Sequence, residues 1–253
     1  MEEEMRLGNT SIFIYILILI LFGGVFNSWA EEESPTASGS MSFLSKYMWR
    51  GYELSDESIV VQPSMTLAYK GFAFNTWGNL DTDTADDSAA LNETDLTVSY
   101  DTSKGPFGLG AGYIYYGLDS ADDTQEFYLK ASYDTLLTPT LIMYKDVKSF
   151  PGHYFSLGLS HSLSLTDAIA LNLSGAFGYY ISNDDSIVEA GTDDKYNGLQ
   201  DGLLSASLSI PVTKYITVSP AVSYAFALSD KAEDSLGISS GEVIGGVILS
   251  FAF

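Results

Sequence analysis

The sequence predicts an all-β protein: a transmembrane up-and-down antiparallel β-barrel of about 12 strands that follows a cleaved signal peptide. Three observations predict this fold. Short segments of alternating apolar and polar residues recur, the connectors between them alternate between short and long, and the last segment runs to Phe253. A barrel in lipid must pair its last strand with its first, because lipid offers unpaired backbone groups no hydrogen-bond partner.

The N-terminal region has the one long apolar run, SIFIYILILILFGGVF at 11–26, which is shorter than the ~20 residues of a membrane-spanning helix. Small residues at Ser28 and Ala30 suit cleavage by signal peptidase, so residues 1–30 are predicted to be a signal peptide. The start, MEEEMR, is acidic where a basic region is expected, and initiation at Met5 would remove most of it. An uncleaved anchor helix is the alternative. Residues 31–40 then form a short periplasmic segment, and 41–253 form the barrel.

Composition excludes several classes of protein. The chain has a net charge of −22, so it does not bind nucleic acid through phosphates, which requires a basic face. It contains no Cys, which excludes disulfides, thiolate metal sites and a lipid-modified cysteine. Its 23 Gly and 17 Tyr, mixed with Ser and alternating apolar residues, indicate strands rather than helices.

The first six predicted strands end at turn residues. Strand one covers 42–51, strands two (59–69) and three (72–80) flank the turn KG, strands four (93–101) and five (107–117) flank DTSKG, and strand six (125–133) precedes DTLLTP. Most are close to the ~9–11 residues of a tilted membrane-spanning strand.

The last six predicted strands follow the same pattern, and no helix is predicted after the signal. Strands seven (140–147) and eight (154–162) flank KSFPGH, strand nine (168–182) follows SLTD, strand ten (199–210) precedes PVTK, and strands eleven (215–228) and twelve (242–253) flank a long connector.

Five long connectors hold 18 acidic residues and two lysines; they are 53–58, 81–92, 118–124, 183–197 and 229–241. Alternation of short and long connectors predicts short turns at the periplasmic rim and long loops outside. The acidic loops either concentrate cations loosely or keep the surface hydrated. The stretch 81–87, DTDTADD, lacks the Gly and final Glu of an EF-hand, so neither a metal site nor a cofactor is predicted. A soluble β-sandwich is the alternative to the barrel.

A period of two assigns each strand residue to the lipid or to the lumen. Charges fall on one parity, as expected, since Arg or Lys facing lipid at the midplane costs about 2–4 kcal/mol. Lys46 and Arg50 form a basic ladder on strand one, with Glu242 beside Arg50. The predicted pore-lining residues are Lys46, Arg50, Asn75, Asn79, Glu93, Asp95, Glu126, Tyr128, Lys130, Asp201 and Glu242.

Two interpretations of this lumen remain open. Opposed basic and acidic walls can create a transverse field in an open pore, or the charges can pair across the lumen and plug it. Inward-facing glycines at 108, 110 and 112 either leave space for a solute or make room for Tyr128 and Lys130. We favour the second interpretation of the glycines.

The segment SKYMWRGYELSDESIVVQPSMTLAYKGFAFNTWGNLD at 45–81 resembles the start of the TorF-type outer-membrane porin family, a Gcw_chp-like family of proteobacteria. The matching positions are Ser45, Tyr47, Arg50, Gly51, Pro63, Gly71, Phe72, Trp77 and Gly78. The resemblance implies an outer-membrane barrel that acts as a channel, and it implies little about the cargo.

Together these patterns predict a monomeric passive channel for small polar solutes in the outer membrane of a Gram-negative bacterium. Outer-membrane lipid, lipopolysaccharide and the barrel assembly machinery, which reads a terminal Phe, are the expected partners. The alternative is a closed barrel with a structural or adhesive role through its acidic loops. No enzyme is predicted, because His161 and Ser162 are adjacent on a strand and point to opposite faces.

Overall fold

The structure, a computed structural model, describes residues 34–55, 58–84, 88–119 and 121–252. The predicted signal peptide, residues 1–30, and the terminal Phe253 lie outside the described residues. Within the described part, no helix is long and apolar enough to cross a membrane.

In the described part, twelve antiparallel strands close into a barrel, which confirms the predicted fold class. Each wall strand pairs with its neighbours in the chain, and β1 pairs with both β4 and β14. The elements in chain order are β1 (Thr36–Leu44), β2 (Met48–Trp49), β3 (Tyr52–Glu53), β4 (Val60–Tyr69), β5 (Phe72–Asp81), β6 (Ala90–Lys104), β7 (Phe107–Leu118), β8 (Thr124–Tyr133), β9 (Thr140–Asp146), β10 (Gly152–Ser164), β11 (Ala170–Ser182), β12 (Asn197–Pro211), β13 (Ile216–Ala227), α1 (Asp230–Leu236) and β14 (Glu242–Ala252). β2 and β3 form a separate hairpin.

The first wall strand differs from the prediction. β1 covers Thr36–Leu44, so residues 36–40 belong to the wall rather than to a periplasmic segment, and the predicted strand 42–51 is wrong beyond Leu44. The inner face of β1 carries serines and its outer face has only two large apolar residues, Met41 and Phe43. Its apolar alternation is therefore weak in the sequence.

Connectors alternate between the two ends of the barrel, as predicted. The short turns β4–β5, β6–β7, β8–β9, β10–β11 and β12–β13 lie at the end where β1 begins and β14 ends, here called the turn rim. At the tightest of these turns, Lys70 and Gly71 both have positive φ (50° and 85°), as a type I′ hairpin requires. The longer connectors lie at the opposite end, the loop rim.

The two faces of the wall differ in polarity. Along β8, Phe127, Leu129 and Tyr133 are exposed on the outside, whereas Thr124 and Glu126 are buried on the inside. The outside is therefore an apolar belt and the inside a polar lumen, as the period of two predicts.

One short helix, α1, was not predicted. The Ser229 hydroxyl oxygen accepts a hydrogen bond from the Ala232 N–H at 3.1 Å, and Gly237 ends the helix with φ 65°. Its Ala232 is buried with Tyr196 and Ile238, and together they form the cap of the loop rim. With seven residues, α1 is too short to show helical periodicity.

Candidate functional site

The connector between β1 and β4 does not extend outward but folds into the barrel. Its described residues 45–55, here called the inner loop, contact strands on all sides of the wall. Tyr47 packs against Trp77 of β5 (ring centroids 5.5 Å apart), Trp49 packs against Tyr116 of β7 (6.3 Å), and Gln200 of β12 donates to the Arg50 carbonyl (2.7 Å). The inner loop therefore crosses the lumen.

Arg50, at the tip of the inner loop, binds a set of wall residues. Its two terminal nitrogens donate to the two oxygens of Glu126 at 2.7 and 2.8 Å. Its guanidinium also lies 4.5, 4.6 and 4.2 Å from the ring centroids of Trp49, Tyr144 and Tyr154. These four residues are called the arginine cage. The Arg50 side chain is 13% exposed and that of Glu126 is 4% exposed, so the pair is largely shielded from water.

Turn geometry places Arg50 in the cage. Trp49 pairs with Tyr52 across the β2–β3 hairpin, so Arg50 and Gly51 are its two turn residues. Both have positive φ, 48° and 85°, as a type I′ turn requires. A β-carbon at Gly51 would lie 2.9 Å from Cβ of Asp201, so only glycine fits there without movement.

Lys46 anchors the base of the inner loop. Its Nζ lies 3.0 Å from a Glu53 oxygen on the same loop and 2.7 Å from a Glu242 oxygen on β14. Glu242 also accepts a hydrogen bond from the Ser239 hydroxyl at 3.0 Å. Lys46 thus joins the loop to the last strand of the wall.

Several carboxylates around the inner loop are left without a basic partner among the described residues: Glu93, Asp95, Asp146 and Asp201. Tyr154 donates to Asp201 at 2.9 Å, and Thr124 donates to Asp146 at 2.5 Å. Oδ1 of Asp95 is buried and has no hydrogen-bond partner in the described part. The lumen beside the inner loop is therefore acidic.

The half of the lumen nearer the turn rim is polar and open to water. Its one described inward ion pair, Lys130 with Asp101, has side chains that are 32% and 44% exposed. Small polar side chains line much of the rest, joined across strands by hydrogen bonds such as Asn75 to Ser64 (2.9 Å) and Asn172 to Ser209 (2.9 Å). A cavity of about 380 Å³ lies at this rim.

The inward glycines of β7 make room for neighbours, the interpretation that the sequence favours. A β-carbon at Gly110 would lie 2.9 Å from Cε of Lys130, and one at Gly112 would overlap the ring of Tyr128. Side chains of the lumen therefore already fill the space beside these glycines.

Acidic residues of the loop rim are held in the ionised form. The backbone N–H and the hydroxyl of Ser186 donate to Asp184 and lower the pKa of that carboxyl. The Tyr115 hydroxyl and the Leu118 N–H do the same for Asp123 and lower its pKa. These loops therefore remain negatively charged at neutral pH.

Residues 29–201 match the model of a protein family described as bacterial protein of unknown function (Gcw_chp). The chain belongs to the Gcw_chp family. The matched region contains the inner loop and the whole arginine cage. No curated protein matches the sequence.

Solved structures share the barrel fold of this Gcw_chp protein. The KdgM porin is 13% identical with a TM-score of 0.56, over 85% of this chain and 99% of that one. The NanC porin is 11% identical with a TM-score of 0.53, over 86% and 99%. An outer-membrane channel from Pseudomonas putida F1 is 8% identical with a TM-score of 0.50, over 90% and 98%. At these identities the likeness shows the fold of outer-membrane barrels.

Nine of the predicted pore-lining residues lie on wall strands with the inward parity that was expected: Asn75, Asn79, Glu93, Asp95, Glu126, Tyr128, Lys130, Asp201 and Glu242. The basic ladder on strand one is wrong, because Lys46 and Arg50 lie on the inner loop. Glu242 pairs with Lys46 rather than with Arg50.

Sequence reasoning missed the aromatic partners of Arg50. Tyr144 and Tyr154 are directly opposite each other on β9 and β10, on the inward face that also carries Asp146. The alternation along these strands does predict that both side chains point into the lumen. Nothing in the sequence indicated that a loop arginine would reach them.

Proposed function

We propose that the protein is an outer-membrane channel of a Gram-negative bacterium that passes small polar solutes, with the inner loop as its constriction. The apolar belt, the polar lumen and the fold shared with porins support this proposal. The turn rim then faces the periplasm and the loop rim faces outward, in contact with lipopolysaccharide. We further propose that the chain groups with TorF-type porins, on the matched residues of segment 45–81.

The observation that carries the proposal is the difference between the two halves of the lumen. The half near the turn rim is water-accessible and lined by small polar groups, which suit a solute vestibule. The half near the loop rim is narrowed by the inner loop, and cavities of about 220 and 290 Å³ flank it. Passage is then restricted to small solutes, and the acidic groups there favour neutral or cationic ones.

The inner loop also favours a second candidate function. Lys46 and Arg50 hold the loop by ion pairs on opposite sides of the lumen, and the cap packs on Tyr52 from above. A barrel closed in this way would act through its acidic outer loops, as a structural or adhesive protein.

We propose no enzymatic role for either candidate. Nδ1 of His153 contacts the side-chain oxygen of Asn183 at 3.2 Å, and Nδ1 of His161 contacts the Leu136 carbonyl at 2.7 Å. Both imidazoles are thus engaged by amide oxygens rather than by an acid and a nucleophile.

Conductance in planar bilayers tests the channel. Wild-type protein is expected to give small single-channel steps, and Glu126→Gln is expected to give larger ones because it loosens the inner loop. Lys130→Gln, in the open half, is the matched control and should not widen the pore. Folded barrels of both wild type and Glu126→Gln that insert but carry no current would reject the channel and favour the closed barrel.

A further inference from the structure

We propose that the arginine cage is a binding site for solutes that bear a guanidinium group, and that Arg50 occupies it as a built-in ligand. This inference goes beyond the channel function and does not require the barrel to conduct.

The cage is built mainly from the wall rather than from the inner loop. Glu126, Tyr144 and Tyr154 lie on β8, β9 and β10, whose backbones are paired in continuous register. The side chains of Glu126 and Tyr154 are also held by hydrogen bonds with residues outside the cage. Tyr116 of β7 donates to Glu126 at 2.7 Å, and Tyr154 donates to Asp201 of β12 at 2.9 Å. Three of the four cage residues would therefore keep their places if the inner loop moved away.

The chemistry of the cage selects a guanidinium. Glu126 offers two carboxylate oxygens to a planar fork, a geometry that an ammonium group does not match. The tyrosine rings bind the flat faces of the cation by cation–π attraction. Glu126 is almost completely buried. An empty cage would therefore cost free energy, because the Glu126 carboxylate would lose the positive charge that compensates it.

Arg50 is covalently attached to the inner loop, which acts as a tether and keeps it close to this site. Arg50 has a positive φ of 48°, which strains a non-glycine residue, and the contacts of the cage offset that strain. A tethered ligand has an effective concentration in the millimolar range or above. A free guanidinium solute must compete with it in the wild type, and it binds without competition once Arg50 is removed.

The test is thermal unfolding of Arg50→Ala in detergent, titrated with methylguanidinium chloride at millimolar concentrations. Alanine keeps the β-carbon and with it the backbone strain at position 50. We expect a saturable rise in the melting temperature, with a half-saturating concentration at least about tenfold lower than in the wild type. Methylammonium chloride controls for charge and ionic strength, and Arg50→Ala with Glu126→Gln removes the cage carboxylate. Neither control should give the rise.

An equal response to methylammonium, a response that survives Glu126→Gln, or no saturable response would overturn the proposal. If Arg50→Ala does not fold unaided, the folded fraction on refolding becomes the measurement. Methylguanidinium should then raise that fraction more than methylammonium does, and equal fractions would likewise reject the site. Loss of conductance in the wild type would leave this test unaffected, so the two proposals fail separately.

Discussion

At the scale of single residues, the buried carboxylate of Glu126 depends most on its hydrogen-bond partners. It accepts three hydrogen bonds, two from Arg50 and one from the Tyr116 hydroxyl, while it is almost fully buried. Removing one partner of such a pair is more destabilising than the net contribution of the pair suggests, because the other charge stays buried. The tip of the inner loop should therefore depend on this carboxylate.

Glu126→Gln should expose the inner loop to trypsin, which cleaves after Lys46 and Arg50. A charged hydrogen-bonded pair contributes about 1.5–3 kcal/mol to stability. Its loss would raise the fraction of molecules with the inner loop displaced, and hence the cleavage rate, roughly ten- to a hundredfold. Mass analysis of the fragments from detergent-solubilised protein measures this. Asp101→Asn, which breaks the ion pair in the open half, should leave the loop protected. Equal cleavage rates in wild type and Glu126→Gln would show that the pair does not hold the loop.

The direction of these side chains could be predicted, but their partners could not. Inward parity of Glu126, Tyr128 and Lys130 follows from strand alternation, which is a local property. The contact of Arg50 with Glu126 spans 76 residues and exists only because the inner loop turns into the lumen. The local pattern of residues 42–51 favours an extended strand, and tertiary packing overrides it.

At the scale of elements, the seam between β1 and β14 closes the wall. Gly246 faces Leu44 at the loop-rim end of this seam, and a β-carbon there would lie 3.1 Å from Cα of Leu44 and closer still to the Phe43 carbonyl. The neighbouring Gly245 has open space, with nothing within 4 Å of such an atom. A methyl group at one of these adjacent glycines would therefore meet backbone, and at the other it would meet open space.

Gly246→Ala should weaken closure, because the methyl group meets backbone that cannot move aside. We expect a loss of about 1–3 kcal/mol in the free energy of unfolding. Gly245→Ala should change it little. Heat-modifiable mobility on gels and unfolding in urea measure both variants. Equal urea midpoints for the two variants would contradict the close approach of Gly246 to the backbone of β1.

Elements differ in how well alternation predicted them. β4, β5 and β8 carry strong apolar alternation and were placed within one or two residues. β1 was misplaced because serines dilute its pattern, and α1 was missed because its signals are a single Ser cap and a Gly stop. Element prediction fails here where the apolar pattern is weak or short.

At the scale of the whole molecule, charge is distributed unevenly inside the barrel. Lys46, Arg50 and Lys130 are all used in ion pairs, and several inward carboxylates, among them Glu93, Asp95, Asp146 and Asp201, remain without a base among the described residues. A lumen of this sign raises the local concentration of cations. A conducting barrel should therefore discriminate by charge.

Reversal potentials across a salt gradient should show cation preference at low salt. The preference should shrink as salt rises, since the Debye length falls to about 3 Å at 1 M. Glu93→Gln with Asp95→Asn should reduce it, because both carboxylates face the lumen beside the inner loop. Asp185→Asn, on the loop rim with a side chain 95% exposed, is the control and should have little effect. Anion preference in the wild type would contradict this charge map.

The path of the inner loop also sets an order of events during biogenesis. The loop is synthesised before the later wall strands that it contacts, and its last partners, Glu242 and Gly245, lie on the strand that seals the wall. Before β1 pairs with β14, the loop can enter the forming barrel from the side, and afterwards the wall confines it. Once the wall is closed, the inner loop can leave the lumen only along the barrel axis, through the opening of the loop rim beneath the cap. The wall strands stay paired during such a movement.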